Sequence, residues 1–346
     1  MTDPAFAARL LAWHRRHGRH DLPWQRTRDP YRIWVAEIML QQTQVAAVIP
    51  YYQRFLERLP DIAALARASQ DEVLRLWSGL GYYSRARNLQ RAAQLVIERH
   101  GGAFPRALDE IEALPGIGRS TAAAIAAFAY GTRAAILDGN VKRVLARHFA
   151  IVGFPGEKRV EARLWKLAEE QLPPRAIARY TQAIMDLGAT LCTRAAPACA
   201  RCPLAASCKA LALGRVRDFP APRAAKPLPA RTTHMLLLVR GGELLLEKRP
   251  PSGIWGGLWS LPELGDAALA RTHCRAQYGC SIAAPQPLAP LAHGFTHFKL
   301  QIQPLLCHVE RVAPAARAPG LIWLSLQDAH GAAIPVPVRR LIERLL

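Results

Sequence analysis

The amino-acid sequence predicts a multidomain protein, with an all-α region followed by a smaller α+β domain. Up to about residue 230 the periodic segments have helical spacing, and none alternates apolar and polar residues as a strand does. Residues 214–231 are rich in proline and arginine, a composition typical of linkers. Beyond them, THMLLLVR and GELLLEKR predict a hairpin that turns at Gly241-Gly242. A chain of 346 residues is long enough for two hydrophobic cores.

The net charge of +20 is the strongest signal in the composition. Residues 1–230 hold 34 Lys and Arg against 19 Asp and Glu, whereas residues 231–346 hold 12 against 7. Most of the positive charge is therefore in the first two-thirds of the chain, where it favours a polyanionic partner such as nucleic acid or an acidic membrane surface. No apolar run of eighteen residues and no secretory signal pattern is present, so we expect a cytoplasmic protein.

The first helices raise one question, which is why an acidic residue lies in an apolar run. Residues 5–17 predict an amphipathic helix, and Asp29-Pro30 predicts the start of a long one through YRIWVAEIMLQQTQVAAVI. Large apolar residues flank Glu37 in this second helix, and a buried charge is costly unless it is paired or functional. Burial would raise the pKa of Glu37. The alternative is a glutamate on the one wet face of the helix.

Two segments near this helix have compositions suited to DNA bases. The amide-rich run Gln41 to Gln44, which includes Gln42, could hydrogen-bond to base edges. Helices predicted at 61–67, 70–78 and 84–99 are interrupted by the loop Ser78 to Tyr83. Its Leu80 and Tyr82, beside arginines, could wedge into a base stack, although buried loop aromatics are the alternative.

A glycine-containing turn lies at the centre of the all-α region. Pro115-Gly116-Ile117-Gly118 cannot continue a helix, and the helix predicted at 120–130 starts directly after it, with Ser120 or Thr121 as the cap. Free backbone N–H groups at such a helix start suit a phosphate. The alternative is an ordinary helix–turn–helix connection.

Asp138 follows at another helix start, before the basic run that contains Lys142 and Arg143. Free N–H groups and nearby cations favour the charged form of Asp138, so we expect its pKa to be lowered. The alternative is a plain N-cap aspartate. Further helices are predicted at 106–113, 139–149, 157–171 and 174–188.

Four cysteines with the spacing C-x6-C-x2-C-x5-C predict a metal site, formed by Cys192, Cys199, Cys202 and Cys208. Without a secretion signal, disulfides are disfavoured. All-thiolate ligation suits zinc or a [4Fe–4S] cluster, and the single CxxC with uneven outer gaps favours iron–sulfur. In the C-terminal part, strands are predicted at 297–309 and 320–325 and a last helix at 335–346.

Taken together, Glu37 with QQTQV, GLGYYSRARNL, LPGIGRSTA, ILDGN and the cysteine spacing closely resemble the helix–hairpin–helix DNA glycosylases. Within them the chain is most similar to the MutY family, which removes adenine mispaired with 8-oxoguanine. The resemblance spans about residues 20–340. It implies a glycosylase core at 1–213, made of a six-helix module at 29–132 and an iron–sulfur module at 1–28 and 133–213. A linker at 214–231 and a Nudix-like lesion-recognition domain at 232–346 would follow.

The resemblance also implies a role for each matching residue. Glu37 would be the general acid, and Asp138 would stabilise the developing sugar cation. Gln42, Leu80 and Tyr82 would contact the duplex near the mispair. The phosphate contacts would come from the hairpin and the helix after Asp138, that is from Pro115, Gly116, Gly118, Ser120, Asn140, Lys142 and Arg143.

Two departures from related patterns refine the expected activity. Endonuclease III-like enzymes carry a lysine nucleophile after LPGxGR, where this chain has Ser120, so strand cleavage through a Schiff base is not expected. GIWGGLWSLPE resembles the Nudix fold, but ARTHCRAQYGC lacks the acidic metal-binding run, so nucleotide hydrolysis is not expected either. Phe295, Thr296 and His297 match the loop with which the family inspects the damaged partner base.

The sequence thus predicts a monomeric, monofunctional adenine glycosylase that carries a [4Fe–4S] cluster. Its partner would be double-stranded DNA containing A:8-oxoguanine or A:G mispairs, with no membrane involved. A DNA partner in turn implies a cytoplasmic protein associated with a bacterial nucleoid. Two alternatives stay open, an endonuclease III-like glycosylase/lyase and a non-catalytic iron–sulfur module that binds DNA.

Overall fold

A computed structural model describes residues 3–223, 227–313 and 318–346. The chain divides into two compact units, one formed by Met1–Arg67 with Asn88–Ala225 and the other by Ala68–Arg87 with Lys226–Leu346. Residues 224–226 of the predicted linker lie outside the described residues. The proposed boundaries at 213 and 231 stay predictions.

The first unit begins with four helices: α1 Phe6–His17, α2 Pro30–Leu40, α3 Val45–Arg58 and α4 Ile62–Arg67. Pro30 occupies the first turn of α2, and the Asp29 carboxylate accepts a hydrogen bond from the N–H of Tyr31 at 2.9 Å. The prediction of one continuous helix through this region is wrong. The chain leaves the helix at Gln41, and Gln42 adopts a left-handed φ of 56° before α3 starts.

Six more helices lie wholly in the first unit within the described residues: α7 Leu108–Glu112, α8 Arg119–Tyr130, α9 Gly139–His148, α10 Lys158–Glu170, α11 Ile177–Asp186 and α12 Lys209–Ala212. Two others precede these in the chain. α5 Gln70–Trp77 belongs to the second unit, and α6 Ser84–His100 belongs to the first unit from Asn88 onward. A single π-helical turn, Leu187–Leu191, extends α11 towards the first of the four cysteines.

An apolar core joins α1 to α8, α9, α10 and α11. Phe6 and Leu10 of α1 are fully buried in it, next to Ala127 of α8 and Leu164 of α10. The small alanines of α8 let neighbouring helices approach closely, and burial of the large side chains stabilises the arrangement. This core holds the start of α9, and with it Asp138, against the helices around it.

The second unit is built on a mixed sheet of nine strands within the described residues: β1 Ala230–Arg240, β2 Glu243–Lys248, β3 Trp259–Ser260, β4 Glu263–Leu264, β5 Cys280–Ile282, β6 Gln286–Pro287, β7 Leu291–Gly294, β8 Lys299–Val312 and β9 Leu321–Ser325. β1 and β2 form the predicted hairpin around Gly241-Gly242. β1 also pairs in parallel with β8, from Ala230 opposite Lys299 to Val239 opposite His308.

Three helices accompany the strands in this part of the unit: α13 Ala270–Tyr278 lies between β4 and β5, and α14 Leu326–Gly331 and α15 Val336–Ile342 follow β9. The predicted strands at 297–309 and 320–325 and the last helix are confirmed to within a few residues. α13, which lies in the segment without acidic residues, packs its Cys274 and Tyr278 into the core of the sheet. Across the described residues, every helix is too short or too polar to span a bilayer.

Candidate active site

Glu37 lines a cavity of about 290 Å³ in the first unit. Apolar side chains on its wall come from Trp24, Ile33 and Phe128. The polar and basic side chains are those of His14, Arg19, His20, Gln25, Thr27, Arg28 and Gln182. Flat apolar surfaces with hydrogen-bonding groups around them suit a planar heteroaromatic ring, and a base taken out of the DNA stack needs such a pocket.

The carboxyl group of Glu37 is held in its protonated form at neutral pH. Burial and, to a smaller extent, the negative charge of Asp138 together raise the pKa of Glu37 to about 8. The raised pKa agrees with the functional interpretation rather than with a glutamate on a wet helix face. A carboxyl group that is neutral near pH 7 can donate a proton within the cavity.

Asp138 caps α9, and its carboxylate accepts a hydrogen bond from the N–H of Val141 at 2.7 Å. The expectation of a lowered pKa is wrong. Burial raises the pKa of Asp138, and this outweighs the N–H groups of Val141 and Asn140 and the charge of Arg143, which lower it. Those three groups favour the carboxylate, whereas the pKa of Glu37 is shifted only upwards. Glu37 is therefore the carboxyl for which burial and the neighbouring charge both favour the protonated form.

A buried ionic network supports the cavity wall, and sequence reasoning did not find it. Asp186 accepts hydrogen bonds from the backbone N–H and the Nε of Arg19 at 2.8 and 2.7 Å, and from Gln182 at 2.8 Å. The Nε2 of His14 lies 3.3 Å from its carboxylate. Burial would raise the pKa of Asp186, but the partners His14 and Arg19 lower it overall. His14 and Arg19 are about 170 positions from Asp186 in the sequence, so no local pattern could reveal these contacts.

The turn at Pro115 to Gly118 presents the start of α8. Gly116 has a φ of 81°, and a Cβ there would lie 2.9 Å from the Cβ of Asn88, so only glycine fits this position. Gly118 caps α8 with an extended backbone and has open space where a side chain would be. Open space in front of free N–H groups is what a phosphate requires.

Ser120 faces inwards rather than towards that open space. Its Oγ accepts a hydrogen bond from the N–H of Leu137 at 2.9 Å, which ties α8 to the residue before Asp138. The serine therefore helps to place Asp138. Its predicted contact with DNA stays a proposal.

The cations predicted to bind phosphate are largely engaged within the protein. Lys142 forms an ion pair with Glu161 at 2.6 Å. Arg143 donates from Nη2 to Asn140 Oδ1 at 2.8 Å and to the carbonyl oxygen of Gly188 at 2.6 Å. Its Nε also donates to the carbonyl oxygen of Cys192 at 2.7 Å. These contacts connect the start of α9 to the segment that carries the cysteines.

Gly188 lies unusually close to the start of α9. A Cβ at this position would lie 2.6 Å from the Cβ of Asn140 and 3.1 Å from its backbone. No side chain could enter without displacing Asn140, which is two residues from Asp138.

Both residues predicted to enter the duplex have backbones in the left-handed region. Gln42 has a φ of 56° and Tyr82 a φ of 49°. Such values are uncommon for residues other than glycine and often accompany functional sites. Gln42 lies in the first unit, where the neighbouring Gln41 donates from Nε2 to the carbonyl oxygen of Gly116 at 3.4 Å. Tyr82 lies in the second unit.

The loop around Tyr82 presents the tyrosine to solvent and buries the leucine. Tyr82 is 43% exposed, whereas Leu80 is 8% exposed. Arg85 Nη2 donates to the carbonyl oxygen of Gly81 at 3.1 Å, and its guanidinium carbon lies 5.5 Å from the centre of the Tyr82 ring. The loop is therefore held by its own arginine, with the tyrosine available for stacking.

A family model for the HhH-GPD superfamily of base excision DNA repair proteins matches residues 35–170, and one for the NUDIX domain matches residues 234–344. The adenine DNA glycosylase of Buchnera aphidicola subsp. Acyrthosiphon pisum is 34% identical over 344 residues, 99% of this chain and 98% of that protein. The Homo sapiens adenine DNA glycosylase is 35% identical over 402 residues, 98% of this chain and 73% of that protein. The chain belongs to the adenine DNA glycosylase family.

Solved structures agree with the fold of the first region. A thermostable thymine-DNA glycosylase is 30% identical with a TM-score of 0.56, covering 60% of this chain and 96% of that one. A non-covalent endonuclease III–DNA complex, at 23% identity and a TM-score of 0.52, covers 61% and 95% and shows the same fold. The predicted helix–hairpin–helix core, the Nudix-like domain and the adenine glycosylase activity are thus confirmed.

In this adenine DNA glycosylase the loop predicted to read the partner base belongs to a group of aromatic side chains. The rings of Phe295 and Phe298 stack with centroids 4.4 Å apart, and Thr296 Oγ1 lies 3.4 Å from His297 Nδ1. Trp255 lies 5.5 Å from Phe295 and has a left-handed φ of 55°. Sequence reasoning missed Trp255 as a site residue, although its place between glycines in GIWGGLW was a signal.

The four cysteines of the glycosylase lie near one another in short irregular segments. Each is half-buried, and the pKa of Cys202 is raised to about 11 by burial and by the other three thiols. The donor type and number fit a thiolate-bound metal group. Among the described residues, however, no set of three or more His, Cys, Asp or Glu side chains is already arranged as a metal-binding group.

Proposed function

We propose that this glycosylase hydrolyses the N-glycosidic bond of adenine paired with 8-oxoguanine or guanine in double-stranded DNA, as a cytoplasmic, nucleoid-associated monomer. The observation that carries the proposal is Glu37, a carboxyl with a pKa of about 8 on the wall of a cavity sized for one base. The mispair preference rests on the likeness to the family and on the aromatic loop of the C-terminal region.

The reaction divides the work between two carboxyl groups. Glu37 gives its proton to a ring nitrogen of adenine, and the electron pair of the breaking glycosidic bond goes to the base. The deoxyribose is left with positive charge, which the nearby Asp138 carboxylate stabilises. Water then adds to the sugar carbon and releases a proton, so the products are free adenine and an abasic site.

The DNA contacts follow from the same residues. Gln42 of the first unit contacts the duplex near the mispair. Tyr82 of the second unit also enters the duplex, and the buried Leu80 supports its loop. The N–H groups of Gly116, Gly118 and Ser120, with Pro115 shaping the turn, bind a backbone phosphate. Asn140, Lys142 and Arg143 form the adjoining edge of this surface. We assign partner-base reading to Phe295, Thr296 and His297.

The proposed enzyme releases the base without cutting the strand. The position of the lysine nucleophile in related lyases is Ser120 here, and Ser120 is bound to the backbone of Leu137. The Nζ of Lys142, the other lysine near Asp138, is engaged in an ion pair with Glu161.

Incubation with a duplex containing adenine opposite 8-oxoguanine, followed by alkali, tests this function. We expect strand breaks only after alkali, because an abasic site forms and is not cleaved. Breaks before alkali would indicate a glycosylase/lyase, and their absence after alkali would indicate a non-catalytic DNA-binding module. The same duplex with cytosine in place of adenine is the control, and it should give none.

We further propose that Cys192, Cys199, Cys202 and Cys208 hold a [4Fe–4S] cluster. When bound, the cluster supplies a cross-link between four points of the chain, and its binding energy adds to the stability of the fold. Arg147 supports this assignment, because its Nη1 donates to Cys192 Sγ at 3.3 Å and its remaining hydrogen bonds reach backbone carbonyl groups around it.

Metal analysis of protein purified without oxygen should find about four iron atoms per chain. Cys202→Ser should lose most of this iron and much of the soluble yield, because one ligand of a closed site is removed. Cys274→Ser, a change to a buried thiol of the second unit, is the matched control and should keep the iron. Stoichiometric zinc in place of iron would contradict the cluster assignment.

A further inference from the structure

The loop that carries Tyr82 is anchored at its start on the C-terminal part of the second unit. Ser78 Oγ donates a hydrogen bond to the carbonyl oxygen of Ile334 at 2.9 Å and accepts one from Arg339 Nη2 at 3.0 Å. These partners are separated by about 260 positions in the sequence, so the contact is purely tertiary. The first residue of the loop therefore follows any movement of the segment before α15.

Arg87 provides the second anchor, just beyond the end of the loop. Its backbone N–H donates to the carbonyl oxygen of Tyr83 at 3.2 Å. Its Nη1 donates to the carbonyl oxygen of Gly256 at 2.5 Å. Hydrogen bonds from a charged donor are the stronger kind, so this contact is a firm link between the end of the loop and the glycine-rich turn.

The glycine-rich turn is itself in contact with the partner-base loop. Gly256 follows Trp255, whose ring lies 5.5 Å from Phe295 and 5.9 Å from His293. A Cβ on Gly256 would lie 2.8 Å from the carbonyl oxygen of Pro251, so the turn is tightly packed. A shift of the Trp255 ring must therefore move the Gly256 carbonyl group as well.

The helix before the loop rests on the same strands. Asp71 of α5 pairs with Lys248 of β2 and accepts a hydrogen bond from Trp259 Nε1 at 3.2 Å. A Cβ on Gly257 would lie 3.1 Å from Gln70 Oε1. The segment 68–87 is thus held by the C-terminal strands and turns at several points, among which Arg87 is the one next to Trp255.

We propose that Arg87 is a positioning residue that couples the reading of the partner base to the placement of Tyr82. A base bound at Phe295 changes the position of Trp255, the Gly256 carbonyl group transmits the change to Arg87, and Arg87 sets the end of the Tyr82 loop. The proposal rests on the proposed role of Phe295 in reading 8-oxoguanine. It explains how one residue beyond the loop contributes to specificity without touching DNA.

A double-mutant cycle in the full-length chain tests the coupling, with Arg87→Met, Phe295→Ala and the double variant. Methionine keeps the length and packing of the side chain but cannot donate to Gly256. With 8-oxoguanine opposite adenine, each single change should slow single-turnover excision about tenfold, and the double variant should be no slower than the slower single one. With guanine opposite, no lesion is read, so the two changes should act independently and their effects should multiply in the double variant.

The control is Arg91→Met, which removes the same charge from an exposed position one turn further along α6. It should leave the ratio of the two excision rates unchanged. A second readout is the fluorescence of 2-aminopurine placed beside 8-oxoguanine, which rises when a wedge unstacks it. Arg87→Met should lower this rise, and Arg87→Lys, which can still donate, should restore part of it.

The outcomes separate this inference from the proposed function. A wild-type excision ratio near one would overturn the reading of 8-oxoguanine and the coupling together. A second outcome is a wild-type enzyme that excises adenine much faster opposite 8-oxoguanine than opposite guanine. If the effects of Arg87→Met and Phe295→Ala then multiply opposite 8-oxoguanine, the coupling alone is overturned. Should Arg87→Met fold poorly, the cycle with Arg87→Leu, which also cannot donate to Gly256, decides between the same two results.

Discussion

Glu37→Gln should abolish most excision while leaving mispair binding intact. Glutamine has nearly the same shape as a protonated glutamic acid but has no proton to transfer. General acids contribute on the order of 10² to 10⁴ in rate, so single-turnover excision should fall by about that factor. Binding of the same duplex, measured by fluorescence anisotropy, should change by less than about threefold, because the cavity keeps its size and polarity.

The matched control is Glu98→Gln, which changes an exposed glutamate of α6 in the first unit. It should leave both rate and binding unchanged. In the wild type, excision should decline as the pH rises through about 8, because Glu37 then loses its proton. Near-normal excision by Glu37→Gln would show that Glu37 is not the acid.

Asp138→Asn should also slow the chemical step, by about 10² to 10³-fold, because the developing sugar cation loses its counter-charge. Asparagine is as good an N-cap as aspartate, so α9 and the overall stability should be preserved. Since the charge of Asp138 raises the pKa of Glu37, the substitution should also move the alkaline decline in residual activity to lower pH.

The control is Asp109→Asn, at an exposed position in the first turn of α7. In the wild type, the excision rate should fall at acid pH as Asp138 gains a proton. Because the pKa of Asp138 is raised, this acid decline should occur at a higher pH than it would for an ordinary aspartate. An unchanged rate for Asp138→Asn, or an alkaline limb that does not move, would contradict the coupling of the two carboxyl groups.

The sequence predicts a residue's environment well where that environment is set by the residues next to it in the chain. Glu37 was singled out because a carboxyl in an apolar helix is costly. The expected rise of its pKa is confirmed, and its role as the general acid stays a prediction. For Asp138 the same reasoning failed, because its local N–H groups are visible in the sequence and the depth of its burial is not. The break at Gln42 was missed because residues 41–44 contain neither glycine nor proline, the usual sequence signals of a turn.

Tertiary partners far apart in the chain could not be predicted from the sequence. Asp186 contacts His14 and Arg19 in the first unit, and Arg87 contacts Gly256 in the second. In each case the partners are 169 residues apart in the sequence or close to that. The grouping of residues 68–87 with the C-terminal strands is of the same kind. Helical periodicity describes which face of α5 is apolar, but it carries no information on what covers that face.

Gly188 shows that a position can be intolerant to mutation without taking part in the catalytic reaction. It has no side chain, yet a single methyl group there would overlap Asn140 and push the first turn of α9 away from its place. A saturation screen for repair would therefore score position 188 much like Glu37 or Asp138. Such a screen separates the two cases only if excision and folding are recorded for the same variants, since a displaced Asp138 would impair both.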